Sequence, residues 1–222
     1  MNILIIPGFT GYPEEKTFEE LTKLFENQGH TVVKLKWPYF PEDLSKYSLT
    51  TTYNHAKEVL SKLDMHQTVL LGFSMGGILA TYLAVEYKPK KLGLLVMPYQ
   101  AGSEDDLQGE YKDWKEIGVS ELTSSRYGKL RFPFSFIEDA RKYNALEVIE
   151  KVRCPILFIV GEKDDKVPNT VTRKLYEKAN ERKKWIFVKG MEHKYQYQPE
   201  ILPIVNKILI EFVNENGGTI AQ

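Results

Sequence analysis

The chain has 222 residues, 30 Lys plus Arg against 30 Asp plus Glu, and hence a formal net charge of zero; hydrophobic residues make up 42% and charged ones 27%. That balance excludes a charge-driven nucleic-acid partner and global disorder. The single cysteine, Cys154, excludes an internal disulfide and a multi-cysteine metal site, and no apolar run approaches the ~18 residues of a membrane span. The apolar start at residues 3–6 carries no basic flank and breaks at Pro7-Gly8, unlike a secretory signal. These features predict a cytoplasmic protein folding as a single domain over residues 1–222.

Short apolar runs at residues 3–6, 31–36, 68–71, 92–97, 155–160 and 185–189 read as strands. Most are near-continuous Val, Ile and Leu, as in parallel strands covered on both faces. Between them run helical patterns. Phe18, Leu21, Leu24 and Phe25 recur at helical spacing until Gly29-His30; Tyr53, Ala56, Leu60 and Leu63 do the same, and Ile201, Ile204, Val205, Ile208 and Phe212 form a closing helix. The alternation predicts an α/β fold: a six-stranded, mostly parallel sheet with helices on both faces. Residues 214–222 lack periodicity and read as a frayed tail.

One connection is too long for a βα unit. Residues 98–153 begin with an acidic stretch (Ser103, Glu104, Asp105, Asp106) and continue with Tyr111, Trp114, Tyr127, Phe132, Phe134 and Phe136 in loop-like context. Ser135 to Glu138 fits a capping box, and Asn144 to Glu147 opens a second short helix in the same way. An excursion of about fifty residues predicts a small lid inserted in the domain.

Chemistry enters where the third strand runs into Gly72-Phe73-Ser74-Met75-Gly76-Gly77 and then a helical pattern. A G-x-S-x-G turn between strand and helix lifts the serine to the tip, at the carboxyl edge of the sheet, in strained backbone geometry. The helix behind it points N–H groups and partial positive charge toward the serine's surroundings. A serine hydroxyl needs a base. His30 and His66 precede strands, on the opposite edge, and His55 lies within a helical pattern; His193, in Gly190-Met191-Glu192-His193, leaves the last strand on the same edge as Ser74.

An acid must orient that imidazole. The fifth strand ends in Gly161-Glu162-Lys163-Asp164-Asp165-Lys166-Val167-Pro168; the spacing from Gly161 selects Asp164, with Asp165 as competitor and Glu162 as a solvated charge. The order Ser74, Asp164, His193 is the one expected of this motif. An oxyanion hole needs two backbone donors. Met75 N–H supplies one, and Phe9 N–H, in Pro7-Gly8-Phe9-Thr10-Gly11 after the first strand, supplies the other.

With Gly8-Phe9-Thr10-Gly11 and Gly72-Phe73-Ser74-Met75-Gly76-Gly77 the chain resembles α/β-hydrolases, in particular small bacterial carboxylesterases and monoacylglycerol lipases. The resemblance spans nearly the whole chain and is weakest over 98–153. It implies Ser74, Asp164 and His193 as a triad, Phe9 and Met75 as oxyanion donors, and no cofactor or metal. Two departures stand out. Pro7 occupies the place where relatives often carry histidine, and the two strands that usually precede the first one here are missing.

The function expected is hydrolysis of a small or medium carboxylic ester through an acyl-serine intermediate. An acyltransferase or peptidase using the same triad, or a non-catalytic binding module on the same fold, are the alternatives. Ser at position 74 disfavours the Asp- and Cys-nucleophile branches of the fold, and Cys154 lies beside a strand start as a buried structural residue. Tyr99, Trp114 and Tyr127 head the aromatic residues expected to line the substrate pocket, with Tyr39, Phe40, Tyr195 and Tyr197 behind them. The implied partner is a small-molecule ester, with no nucleic acid and no membrane span, in a monomer or homodimer.

Overall fold

In chain order, β1 (Asn2–Ile6), α1 (Lys16–Glu26), β2 (Thr31–Lys34), α2 (Leu49–Leu60), β3 (Thr68–Phe73), α3 (Met75–Tyr87) and β4 (Lys91–Leu95) form the first half of the protein. A second group follows: α4 (Glu110–Ile117), β5 (Val119–Ser124), β6 (Gly128–Pro133) and α5 (Ser135–Ala140). The chain then returns to the sheet with β7 (Ile156–Gly161), α6 (Asn169–Lys178), β8 (Lys183–Val188) and α7 (Leu202–Asn214). This computed structural model describes residues 1–102, 110–124 and 126–215, without the side chains of residues 110–112. The acidic stretch at 103–106, the Tyr111 side chain and tail residues 216–222 lie outside the described residues.

The six main strands pair in the order β2-β1-β3-β4-β7-β8, every pair parallel. Alternation along the strands assigns the layers. Ile3 and Ile5 of β1, Val69 and Leu71 of β3, and Leu157 and Ile159 of β7 pack with Phe18, Leu21 and Phe25 of α1 and Val205, Leu209 and Phe212 of α7. Leu4, Leu70, Leu92 and Phe158 face the other way, against Ala56 and Leu60 of α2, Ile78 and Leu83 of α3, and Leu175 of α6. Both faces are therefore closed, which explains why the central strands read as unbroken apolar runs. Among the described residues, no helix is long and apolar enough to cross a membrane.

Several strand ends differ by one or two residues from the expected ones, for physical reasons. β3 continues to Phe73 because Phe73 still pairs with Leu95 of β4. β8 starts at Lys183 rather than Trp185: an edge strand has a partner on one side only, so polar residues are tolerated there and the apolar criterion starts too late. β1, though first in sequence, lies inside the sheet between β2 and β3. Asn214, read as tail, ends α7, whose last carbonyls are capped by the buried Lys91: its Nζ donates to the carbonyls of Phe212, Val213 (3.1 Å) and Glu215 (2.6 Å).

Residues 118–134, expected as loop, contain an antiparallel hairpin in which Val119 pairs with Pro133 and Ser124 with Gly128. Leu130 and Phe132 are its buried, period-two residues. The expected capping box at Ser135 does not form. Phe134 holds the N-cap position, so Glu138 lies one residue too far along to reach back to it, and no side chain caps α5. At the second expected helix start Asn144 does cap, accepting from Leu146 N–H at 3.1 Å, but the turn is a short 3-10 helix (Ala145–Glu147). α5 is anchored to α2 by Asp139, which accepts Thr50 N–H at 2.9 Å and the Thr50 hydroxyl at 2.7 Å.

Candidate active site

β3 ends at Phe73 and α3 begins at Met75, leaving Ser74 alone to make the turn. Its backbone has φ 49° and ψ −125°, a region that side-chain-bearing residues rarely adopt. Two hydrogen bonds hold it there: Ser74 N–H donates to Leu95 C=O at 2.8 Å, and Ser74 C=O accepts Gly77 N–H at 2.8 Å. Gly76 permits the close packing of α3 on the end of β1, since a Cβ there would stand 2.2 Å from the Ile6 carbonyl oxygen and 2.4 Å from that of Pro7.

Ser74 Oγ lies 3.1 Å from His193 Nε2. His193 Nδ1 in turn lies 3.0 Å from each carboxylate oxygen of Asp164. The Asp164 side chain is 1% exposed and the His193 side chain 17%, so the acid is shielded while the imidazole reaches solvent. Asp164 is fixed by its own loop: Oδ1 accepts Lys166 N–H at 3.0 Å and Val167 N–H at 2.8 Å. The two backbone donors and the His193 ring keep the buried carboxylate turned toward the imidazole. Asp165 instead points outward, 3.6 Å from Lys166 Nζ. His30 sits between the amino terminus and Asn214, while His55 and His66 lie on α2 and on the loop before β3, none of them near Ser74.

The loop bearing His193 is secured by residues that sequence reasoning overlooked. Gln198 accepts Glu192 N–H through Oε1 and donates Nε2–H to Gly190 C=O, both at 2.9 Å. Glu162, expected as a solvated charge, is exposed but accepts Gly190 N–H at 2.8 Å. Lys163 N–H donates to Met191 C=O at 2.9 Å, tying the acid loop to the histidine loop through the backbone. Gln198 carries no local signal; only the proximity of a long amide to a strand-end histidine hints at its role.

On the other side of Ser74, the loop after β1 approaches closely, and a Cβ at Gly8 would lie 3.0 Å from Ser74 Cβ. Gly8 C=O accepts Gly11 N–H at 2.9 Å, closing a four-residue turn around Phe9 and Thr10. Neither Phe9 N–H nor Met75 N–H has an acceptor among the described residues. The Phe9 ring packs on Phe132 of β6 and Phe136 of α5, with centroids 4.7 and 4.9 Å apart.

The three aromatics expected at the substrate have different surroundings. Trp114 is buried, stacked on Phe136, with its indole N–H donated to Phe132 C=O at 3.0 Å. Tyr99 is half-buried, and its carbonyl accepts Ala145 N–H at 2.7 Å. Tyr127 lines a cleft of about 280 Å³ with Tyr12, Trp37, Phe40 and Arg126, adjoining Gly11; neither Ser74 nor His193 lines it. Of the others, Phe40 and Tyr195 are buried, while Tyr39 and Tyr197 stand exposed.

The overall fold matches known proteins. Residues 2–97 match the family model described as alpha/beta hydrolase fold. This chain has the α/β-hydrolase fold. Its solved neighbours include a protein from Agrobacterium vitis S4 (TM-score 0.83, 17% identity, 96% of this chain and 88% of that one). Another is a monoacylglycerol lipase from Paleococcus ferrophilus (TM-score 0.75, 16% identity, 96% and 93%). At sequence level it is similar to the mouse palmitoyl-protein thioesterase ABHD10, mitochondrial, with 28% identity over 179 residues. That match takes in 75% of this chain but only 59% of the mouse protein.

Proposed function

We propose that this chain is a serine hydrolase that cleaves a carboxylic ester through an acyl-serine intermediate. The observation that carries the reading is the continuous relay from Ser74 Oγ to His193 Nε2 (3.1 Å) and from His193 Nδ1 to Asp164 (3.0 Å). Ser74 Oγ attacks the carbonyl carbon while its proton passes to His193 Nε2. The Phe9 and Met75 N–H groups donate hydrogen bonds to the carbonyl oxygen as it takes on negative charge, each worth ~10²–10³ in rate. The imidazolium, steadied by Asp164, returns its proton to the leaving oxygen as the bond to carbon breaks. A water molecule then attacks the acyl-serine carbon and gives a proton to His193, which restores it to Ser74 Oγ as the acid departs. Ser74, His193 and the attacking water account for every proton transferred.

The name of the mouse relative, a palmitoyl-protein thioesterase, favours a second substrate class, thioesters. The same steps apply, with sulfur as the leaving atom. On this reading residues 98–153 act as a lid within one catalytic domain of 222 residues, Tyr99 and Tyr127 contact substrate, and Trp114 supports the lid from behind. A cytoplasmic location belongs to the same proposal.

Labelling with a fluorophosphonate probe tests it. An adduct on Ser74, abolished in His193→Ala, is the expected result, and folded protein without an adduct refutes the reading. Panels of 4-nitrophenyl esters and acyl thioesters of increasing chain length then separate the two substrate classes.

A further inference from the structure

The turn that carries Phe9 N–H is strained and does not hold itself. Thr10, a β-branched residue at the third position of the Gly8-to-Gly11 turn, has φ 59°, where glycine or asparagine is the usual occupant. Such a conformation persists only when its surroundings enforce it. Two buried side chains from the connection between β2 and α2 grip the loop on either side of Phe9. Tyr47 accepts Thr10 N–H on its phenolic oxygen at 3.1 Å, and Trp37 donates its indole N–H to Pro7 C=O at 3.0 Å.

Both rings are 1% exposed. They pack against each other with centroids 5.0 Å apart, and Tyr47 is stacked on Phe136 of α5 at 5.2 Å with planes inclined by 10°. Neither residue lies close enough in sequence to the loop for its contacts to be local. Thr10 N–H belongs to the central peptide of the turn, the peptide whose orientation distinguishes the turn types. An acceptor at that N–H therefore selects one orientation, and the bond to Pro7 C=O fixes the point at which the loop leaves β1.

We infer that Tyr47 and Trp37 are positioning residues for the oxyanion hole: by holding Thr10 N–H and Pro7 C=O, they aim the intervening Phe9 N–H at the oxygen bound to the carbon under attack by Ser74. The inference rests on the acyl-serine reading above and extends it to how one half of the hole is assembled. A misplacement of about 1 Å in a catalytic group costs on the order of 10²-fold, so two buried contacts set back from the reacting atoms have a measurable effect on turnover.

The test compares 4-nitrophenyl acetate with its thiono analogue, in which sulfur replaces the carbonyl oxygen. Sulfur is a weaker and longer acceptor, so the oxygen ester draws far more on the two N–H donors, and the ratio of their kcat/KM values reports on the hole. Because both rates come from one preparation, partial unfolding lowers them together and leaves the ratio unchanged. Tyr47→Phe keeps the ring stack and removes only the acceptor; it should lower the oxygen-to-thiono ratio by about tenfold, mainly through kcat for the oxygen ester. Trp37→Phe, which removes the donor to Pro7, should lower it in the same direction, and serves as the second reading if Tyr47→Phe fails to fold. An unchanged ratio in the variants that fold, with the parent enzyme active, overturns this inference alone. A parent protein with no hydrolysis and no adduct at Ser74 overturns the acyl-serine reading instead.

Discussion

His193 Nδ1 stands equally far, 3.0 Å, from both carboxylate oxygens of Asp164, whereas Asp165, next in sequence, turns away toward Lys166. The two adjacent acids therefore make opposite predictions. Asp164→Asn should lower kcat by ~10³–10⁴, because the amide no longer fixes the tautomer or stabilises the imidazolium. Asp165→Asn should stay within about twofold of the parent, as expected for an exposed charge paired with a neighbouring lysine. Steady-state kinetics on one ester for both variants decides between them.

Gln198 predicts an effect without touching substrate. Gln198→Ala removes an acceptor from Glu192 N–H and a donor from Gly190 C=O, so the loop that presents His193 loses both ties. Turnover should fall by about tenfold, because a small misplacement of the base is costly. Stability should change by only ~1 kcal/mol, since the loop is partly solvated and water can replace the lost partners. A large loss of melting temperature with normal kcat per folded molecule contradicts the positioning role.

Gly76→Ala tests the packing of α3 on β1. The added methyl would overlap two backbone carbonyl oxygens, neither of which can rotate away. Destabilisation of about 3 kcal/mol is expected, at the upper end of overpacking effects, and equilibrium urea unfolding measures it.

Cys154 gives a prediction with a sign in pH. Burial pushes its thiol up to about 12, so at pH 8 the folded protein holds far less thiolate than an open chain. Thiol-specific reagents should react slowly with native protein and quickly in urea. The folded state also keeps a proton that the unfolded state loses above about 9, so this residue's contribution to stability falls as pH rises from there toward 12. Comparison with Cys154→Ala, whose stability lacks this component, isolates the slope.

Much of the architecture was legible because the central strands are covered on both faces and so appear as unbroken Val, Ile and Leu runs. Legibility failed where burial is one-sided. The polar residues Lys183 and Lys184 hid the first two positions of the edge strand β8, and the hairpin of β5 and β6 buries only alternate residues such as Leu130 and Phe132. At the site, Ser74, Asp164 and His193 could be read because each follows a strand end with a recognisable turn. Gln198, Tyr47 and Trp37 could not. Tyr47 and Trp37 bond to backbone groups of a loop remote in sequence, and Gln198 to backbone groups a few residues before it, and no local residue pattern records any of these bonds.

The contact of Phe9 with Phe132 and Phe136 bears on any attempt to exchange the segment between β4 and β7 for one from another hydrolase. Such a graft would be chosen for the substrate it admits, yet it would also replace two of the rings against which the loop carrying Phe9 rests. Chimeras that keep an aromatic side chain at positions 132 and 136 should therefore inherit turnover together with their new selectivity. Those that do not would gain selectivity at a slower rate, and their defect would lie in the parental half of the molecule.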